Sequence, residues 1–153
     1  MLIRRVDPRR YIRVQRQIGY IVDARGTAVG SYRERHRVCQ IDFTRFPCDW
    51  LHTDSSTYEW YLAGYAALIV HEATHGYLYS RGVPYTRTTR AFSERMCVTE
   101  QQRFAARLQS ERFDFAHDLV AEYDPEDWRE SWNRTKWQRW IADVRKLHTK
   151  SAR

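Results

Sequence analysis

The longest apolar stretch of the chain lies in its middle and predicts a buried helix. Residues 60–70 are apolar at almost every position, and a helix that is apolar all round belongs in a protein core. Ser56 followed by Glu59 forms a capping box, which predicts the start of this helix, and Gly82 and Pro84 predict its end. The pattern therefore predicts one central helix of roughly 25 residues.

A second helix is predicted over residues 88–108. Ala91, Cys97, Phe104 and Leu108 recur there at a loose helical period. Only a short loop with glycine and proline separates this segment from the central helix, so we expect the two helices to lie antiparallel.

The N-terminal part has the pattern of strands. Residues 10–23 and 36–46 are rich in β-branched and aromatic residues, and residues 23–27 have the composition of a turn. Within 36–46, Cys39 and Ile41 fall on one face of an alternating strand.

The order of these elements predicts an α+β fold. We expect a small N-terminal antiparallel sheet packed on a helical C-terminal part, with mainly strands in residues 1–50 and mainly helices in 55–148. A third helix is predicted over 111–123, and a fourth, with a basic face, begins at Asp124, where an Asp–Pro pair supplies an N-cap and a first-turn proline. The length suits a single domain over 1–153.

The composition of the chain predicts its cellular compartment and the kind of partner that it binds. The chain has 26 Lys and Arg against 19 Asp and Glu, a net charge of +7 that favours polyanions and acidic partners. It contains no apolar window long enough to span a membrane, and its N-terminus lacks the apolar core of a signal peptide. Cys39, Cys48 and Cys97 are odd in number and form no C-x-x-C, which predicts free thiols in a reducing cytoplasm.

The predicted central helix carries a metal-binding motif. His71 and His75 stand one helical turn apart on one face, so both imidazoles can bind the same ion. Glu72, beside the first histidine, can act as general base on a water molecule at that ion. Because buried imidazoles and carboxylates need partners, we expect this H-E-x-x-H segment to bind zinc.

A catalytic zinc site needs a third protein ligand and an open position for water. Glu94 on the second helix is our first candidate, because the antiparallel helix pair brings it back toward the histidines. Glu100, His117 and Cys97 are alternatives, Cys97 being a soft ligand whose ordinary role would be a small buried thiol. Acidic residues are also expected to orient the ligating histidines through their second ring nitrogens. The candidates for that role are Asp42, Asp49, Asp54 and Glu100.

The spacing H-E-x-x-H-x18-E resembles that of the gluzincin branch of the zincin metallopeptidases, over residues 56–108. The resemblance implies zinc-dependent peptide hydrolysis with His71, His75 and Glu94 as metal ligands and Glu72 as the base. It also implies a sheet edge that holds the substrate, for which a strand within 36–46 is the candidate, although that strand could equally belong to an ordinary core sheet. It further implies a side chain that stabilises the oxyanion. The candidates for the latter are Tyr77, Tyr79, Tyr85, His117 and Tyr123.

Two other functions remain open from the sequence. The basic N-terminus could bind nucleic acid together with the basic C-terminal helix, and a basic H-E-x-x-H protein resembles the Spartan-type DNA-associated proteases, although no zinc-ribbon cysteine pairs are present. The N-terminal residues concerned are Arg4, Arg5, Arg9, Arg10, Arg13 and Arg16. The third function is zinc binding without peptidase activity. For a peptidase, the net charge predicts an acidic protein or peptide substrate and a narrow specificity.

Overall fold

The computed structural model describes residues 2–25, 30–43 and 55–110. In chain order its elements are α1 (Leu2–Val6), α2 (Pro8–Gln17), β1 (Tyr20–Asp23), β2 (Gly30–Arg33), a 3₁₀ turn (Glu34–His36), β3 (Val38–Ile41), α3 (Ser55–Ser80) and α4 (Arg90–Ser110). The described residues fall within one compact unit, and none of their helices is long and apolar enough to cross a membrane. The helices predicted for 111–123 and from Asp124 lie outside the described residues.

The two long helices confirm the predicted helix pair. The backbone N–H of Gly82 donates to the Tyr79 carbonyl over 2.9 Å, and that of Val83 donates to Leu78 over 3.0 Å, which terminates α3. Gly82 has a φ of +79°, a conformation that glycine adopts without steric cost. α4 then packs along α3.

The core lies where α3 meets the other helices. Small side chains on α3 allow α1, α2 and α4 to approach it closely. The buried members of this core are Ile3, Val6, Val14, Ala63, Ala66, Ala67, Val70, Ala73, Phe104 and Leu108. The apolar segment 60–70 is thus a central core helix, as its pattern predicts.

Residues 10–17 are helical, so the strand predicted over 10–23 is wrong except at its end, where β1 forms. Asp7 caps α2 by accepting the backbone N–H of Arg10 over 3.1 Å, and Pro8 occupies the first turn. Arg10 faces inward because it pairs with Asp7 and lies 3.2 Å from the Glu100 carboxylate. The buried face of α2 nevertheless follows a helical period, so the strand prediction came from composition and not from the period.

The sheet is mixed, so the antiparallel sheet predicted from the sequence is wrong for one of its two strand pairs. β3 lies between β1 and β2, with Tyr20 opposite Val38 in a parallel pair and Gly30 opposite Ile41 in an antiparallel pair. The three short strands share the described part of residues 1–50 with α1 and α2, so strands do not dominate this part of the chain. Cys39 on β3 is completely buried, as its alternating pattern predicts.

A buried charge network joins the N-terminus to α4. Arg10 and Arg13 both contact Glu100, and Arg13 lies 2.7 Å from it. Burial tends to raise the pKa of Asp7, but hydrogen bonds from Arg10 and its positive charge outweigh this and keep that pKa below its ordinary value. The ion pairs of Glu100 lower its pKa in the same way. The network holds α4 in a fixed position beside α2 and α3.

Two glycines allow β2 to lie directly against α3. A Cβ atom on Gly30 would lie 2.7 Å from the Glu72 Oε1 atom, and one on Gly76 would lie 2.7 Å from the Tyr32 hydroxyl oxygen. The Tyr32 hydroxyl in turn donates to the Gln17 carbonyl over 2.7 Å. The side of α3 that carries Glu72 and Gly76 therefore packs closely against β2, with the side chains of Glu72 and Tyr32 in the contact.

We expect Gly76→Ala to destabilise the protein by about 1–2 kcal/mol, because overpacking against Tyr32 exceeds the gain in helix propensity. Urea unfolding of Gly76→Ala, Tyr32→Ala and the double variant measures this effect. In the Tyr32→Ala background the cost should shrink, since the crowded hydroxyl is absent. An equal cost in both backgrounds would show that contact with Tyr32 is not its cause.

Candidate metal centre

The two motif histidines face each other in the interior of the protein. The Nε2 atoms of His71 and His75 lie 3.2 Å apart, and the rings meet edge-on at a centroid distance of 5.0 Å. Only 3% of His71 is exposed. Two imidazole nitrogens at this distance repel each other through their lone pairs unless a cation, either a proton or a metal ion, lies between them.

α4 brings Glu94 to the same point. One carboxylate oxygen lies 3.4 Å from the Nε2 atom of His71, and the other lies 3.7 Å from the Nε2 atom of His75. Glu94 is buried, and its Oε2 atom has no hydrogen bond of ordinary geometry among the described residues, although the Nε2 atom of His71 approaches it at 3.4 Å. A buried carboxylate oxygen with so weak a contact is costly, and a cation would stabilise it.

Cys97 belongs to the same cluster. Its Sγ atom and one nitrogen of each histidine ring all lie within 4.8 Å of one another, so His71, His75 and Cys97 form a group that could hold a metal ion. Cys97 is completely buried and forms no disulfide. Glu94 and Cys97 thus approach the histidine pair from adjacent turns of one helix.

The electrostatics favour a neutral His75 and an ionised Glu94. Burial, and then the nearby His71, lower the pKa of His75 to about 4. Burial tends to lower the pKa of His71, but the hydrogen bond with Glu94 and the charges of Glu72 and Glu94 raise it overall. Burial tends to raise the pKa of Glu94, but the hydrogen bond with His71 and the charge of that histidine lower it overall.

Glu72 is a buried carboxylate whose charge is poorly compensated. Burial raises its pKa to about 7; His71 opposes this rise and Glu94 adds to it. Its Oε2 atom has no hydrogen-bond partner among the residues described, while Oε1 lies beside Gly30. A carboxylate with a pKa near neutrality can both accept and return a proton at physiological pH.

Gln101 orients His71. Its side-chain oxygen lies 3.0 Å from the Nδ1 atom of His71, and because an amide oxygen only accepts, Nδ1 must carry the hydrogen. That tautomer directs the Nε2 lone pair toward His75 and Glu94. Our sequence analysis considered only acids for this role and missed Gln101. It stands two helical turns after Glu94, a spacing that places both on one face of α4.

We expect Gln101→Leu to weaken metal binding by roughly 10–100-fold, because the oriented tautomer of His71 loses its acceptor. Gln101→Glu should retain most of the affinity, since a carboxylate also accepts from Nδ1. Competition with a chelating indicator dye measures both, with Gln102→Leu as the control on the neighbouring residue. Equal weakening by the leucine variants would refute the role of Gln101.

Glu100, the second candidate for the third ligand, pairs with arginine side chains. Its oxygens lie 2.7 Å from Arg13 and 2.9 Å from Arg103. Six residues correspond to roughly 600° of rotation, so Glu100 leaves α4 about 240° from Glu94 and faces α2 instead. Of the other predicted partners, His117, Asp49 and Asp54 lie outside the described residues. Asp42 is buried directly after β3, and its orienting role stays a prediction.

Tyr85 is the tyrosine that reaches the cluster. Its hydroxyl donates to Glu94, its ring meets that of His75 edge-on at 5.0 Å, and burial together with Glu94 raises its pKa. Tyr77 instead lies under the guanidinium groups of Arg13 and Arg81. Tyr79 is exposed, and Tyr123 lies outside the described residues.

The N-terminal arginines divide into two groups. Arg10 and Arg13 are committed to Glu100, so their charges are partly neutralised. The others in the described part of the chain, Arg4, Arg5, Arg9 and Arg16, are exposed. Nucleic-acid binding stays a prediction, with fewer free charges than the sequence indicates.

No protein-family model matches this sequence, and comparisons with curated proteins and with solved structures found no significant match.

Proposed function

We propose that this protein is a zinc-dependent metallopeptidase of the gluzincin type. One observation carries the proposal: the two histidines of the H-E-x-x-H segment and Glu94 converge, with Nε2–Nε2 and Nε2–oxygen separations of 3.2, 3.4 and 3.7 Å. Ligands of tetrahedral zinc at about 2.0–2.1 Å stand about 3.3 Å from one another. The observed separations are close to those among zinc ligands, which supports the proposal.

The chemical character of the three donors fits zinc. His75 has a pKa of about 4, so it is neutral and can donate a lone pair at physiological pH. Glu94 supplies one negative charge, and Gln101 and Tyr85 fix His71 and Glu94 through hydrogen bonds. Three protein donors leave a fourth position open, which is the arrangement of catalytic zinc.

Glu72 is the catalytic base in this proposal. When bound, zinc would lower the pKa of a water molecule and polarise the scissile carbonyl. Glu72 accepts a proton from the water and delivers it to the departing amine. In the metal-free protein burial raises the pKa of Glu72 to about 7, which makes it a stronger base than an exposed carboxylate. Burial at 3% exposure keeps bulk water from competing for that proton.

β2 is the strand best placed to hold a substrate. The resemblance led us to expect the substrate edge within 36–46, but β3 in that segment is the central strand, paired on both sides. β2 is an edge of the described sheet, and its Gly30 lies against Glu72. An extended peptide that pairs with this edge would present its backbone carbonyl to Glu72 and the two histidines.

The test is proteolysis of a denatured cell lysate. Zinc-loaded wild type should generate new protein N-termini at a limited set of sites, enriched near acidic residues because of the +7 charge. The Glu72→Gln variant and chelator-treated wild type should generate none of these. If zinc-loaded wild type produces no new termini, the protein binds zinc without peptidase activity.

A further inference from the structure

Cys97 is the donor in the metal centre that the proposed function leaves unused. It lies one turn beyond Glu94 on α4, so both side chains leave the helix on the same side. Its Sγ atom and a nitrogen of each histidine lie within 4.8 Å of one another. A small movement would bring all three to the separations found around a single ion, since the zinc–sulfur bond is about 2.3 Å long.

One observation besides the position of the thiol indicates a cation beside it. The Oε2 atom of Glu72 is buried and has no hydrogen-bond partner among the described residues, and that of Glu94 has a long 3.4 Å approach from the Nε2 atom of His71. A cation would stabilise both carboxylates.

Charge balance also favours sulfur as a ligand. A buried ion is stabilised when the charges of its ligands cancel its own. Zinc with two neutral imidazoles and Glu94 alone retains one positive charge, whereas the addition of a thiolate gives a neutral centre. A coordinated thiol loses its proton to solvent even where burial otherwise keeps it neutral.

We propose that Cys97 binds the metal ion as a thiolate and completes a resting site of four protein donors with His71, His75 and Glu94. The inference rests on the metal site of the proposed function and adds its regulation. A site with four protein donors has no position for water. Cys97 must therefore give up its place to water when a peptide is hydrolysed, so wild type should cleave more slowly than Cys97→Ser without being inactive.

Cobalt substitution tests the ligand directly. Cobalt-loaded wild type should show a thiolate-to-cobalt charge-transfer band in the near ultraviolet together with the visible bands of tetrahedral cobalt. Cys97→Ser should lose the charge-transfer band and keep the visible bands. Cys39→Ser is the matched control, because Cys39 is equally buried and also free, and it should keep both.

X-ray absorption of zinc-loaded wild type provides a test that needs no variant to fold. One sulfur at about 2.3 Å from zinc is the expected result. Bound zinc with only nitrogen and oxygen neighbours, or cobalt-loaded wild type without the charge-transfer band, would overturn the role of Cys97 and leave the His71, His75 and Glu94 site standing. Failure of wild type to bind either metal would overturn both proposals.

Discussion

Replacing His75 with alanine is expected to abolish stoichiometric zinc binding. The Nε2 atom of His75 lies 3.2 Å from that of His71 and 3.7 Å from Glu94, so it forms one corner of the ligand set. Alanine supplies no donor atom, and a site reduced to His71, Glu94 and Cys97 should bind zinc too weakly to survive competition with a chelator. Zinc content after dialysis against trace chelator, measured by mass spectrometry, should fall from about one ion per chain to background.

The matched control for this variant is His36→Ala. His36 is an exposed histidine in the 3₁₀ turn between β2 and β3 and is not a member of the cluster. Its removal should leave the zinc content unchanged and so exclude histidine-dependent surface binding. Equal zinc in the His75→Ala variant and in wild type would eliminate the proposed site.

Glu72→Gln is expected to keep zinc and to reduce the turnover number by about 10²–10⁴-fold, the usual contribution of a general base. Glutamine has the shape of the protonated acid but cannot accept a proton from water. Initial rates on a substrate found in the lysate experiment measure the effect, and zinc content is determined on the same samples. A variant that hydrolyses its substrate at the wild-type rate would exclude Glu72 as the base.

The same variant should be more stable than wild type in the metal-free state at alkaline pH. The pKa of Glu72 rises from 4.5 to about 7 on folding, mainly through burial. The contribution of Glu72 to the free energy of unfolding is fully present below the pKa that this residue has in the unfolded state. It is lost as pH rises through the pKa that it has in the folded state. Glutamine does not ionise, so we expect a gain of roughly 1–3 kcal/mol above neutral pH.

Urea unfolding at acidic and alkaline pH checks this prediction. The gain should vanish at acidic pH, where Glu72 is protonated in both states. Glu59→Gln is the control, because Glu59 lies on the same helix but is exposed. Stability lost together with activity would indicate that Glu72 has a structural role, whereas stability gained as activity is lost is typical of catalytic groups.

The parts of the site that local spacing determines could be predicted from the sequence. His71 and His75 share a face of α3 because four residues make about one helical turn. Gly82 and Pro84 end α3, so that α4 runs back along it and brings Glu94 to the two histidines. The choice of Glu94 as a ligand is a proposal, but its place beside the histidines follows from this geometry.

The parts that depend on distant residues could not be predicted. α2 carries an Asp–Pro start at Asp7 and Pro8, yet its inward face includes Arg10, whose burial makes sense only with Glu100 from α4 beside it. The parallel pairing of β1 with β3 likewise depends on where β2, which lies between them in the chain, joins the sheet. No local sequence pattern indicates this. Gln101 was missed because only acidic residues were considered as partners of the histidines, and an amide is neutral.

The contact between β2 and α3 defines a signature by which relatives could be sought when overall similarity is too low to detect. Gly76 follows the motif directly, and Gly30 begins the strand that lies against Glu72. Any chain that keeps this packing needs a residue without a side chain at both places. A search for H-E-x-x-H-G that is preceded by a glycine-started strand and followed by E-x-x-C on the next helix would therefore select for the architecture of this centre and discard chance occurrences of the five-residue motif.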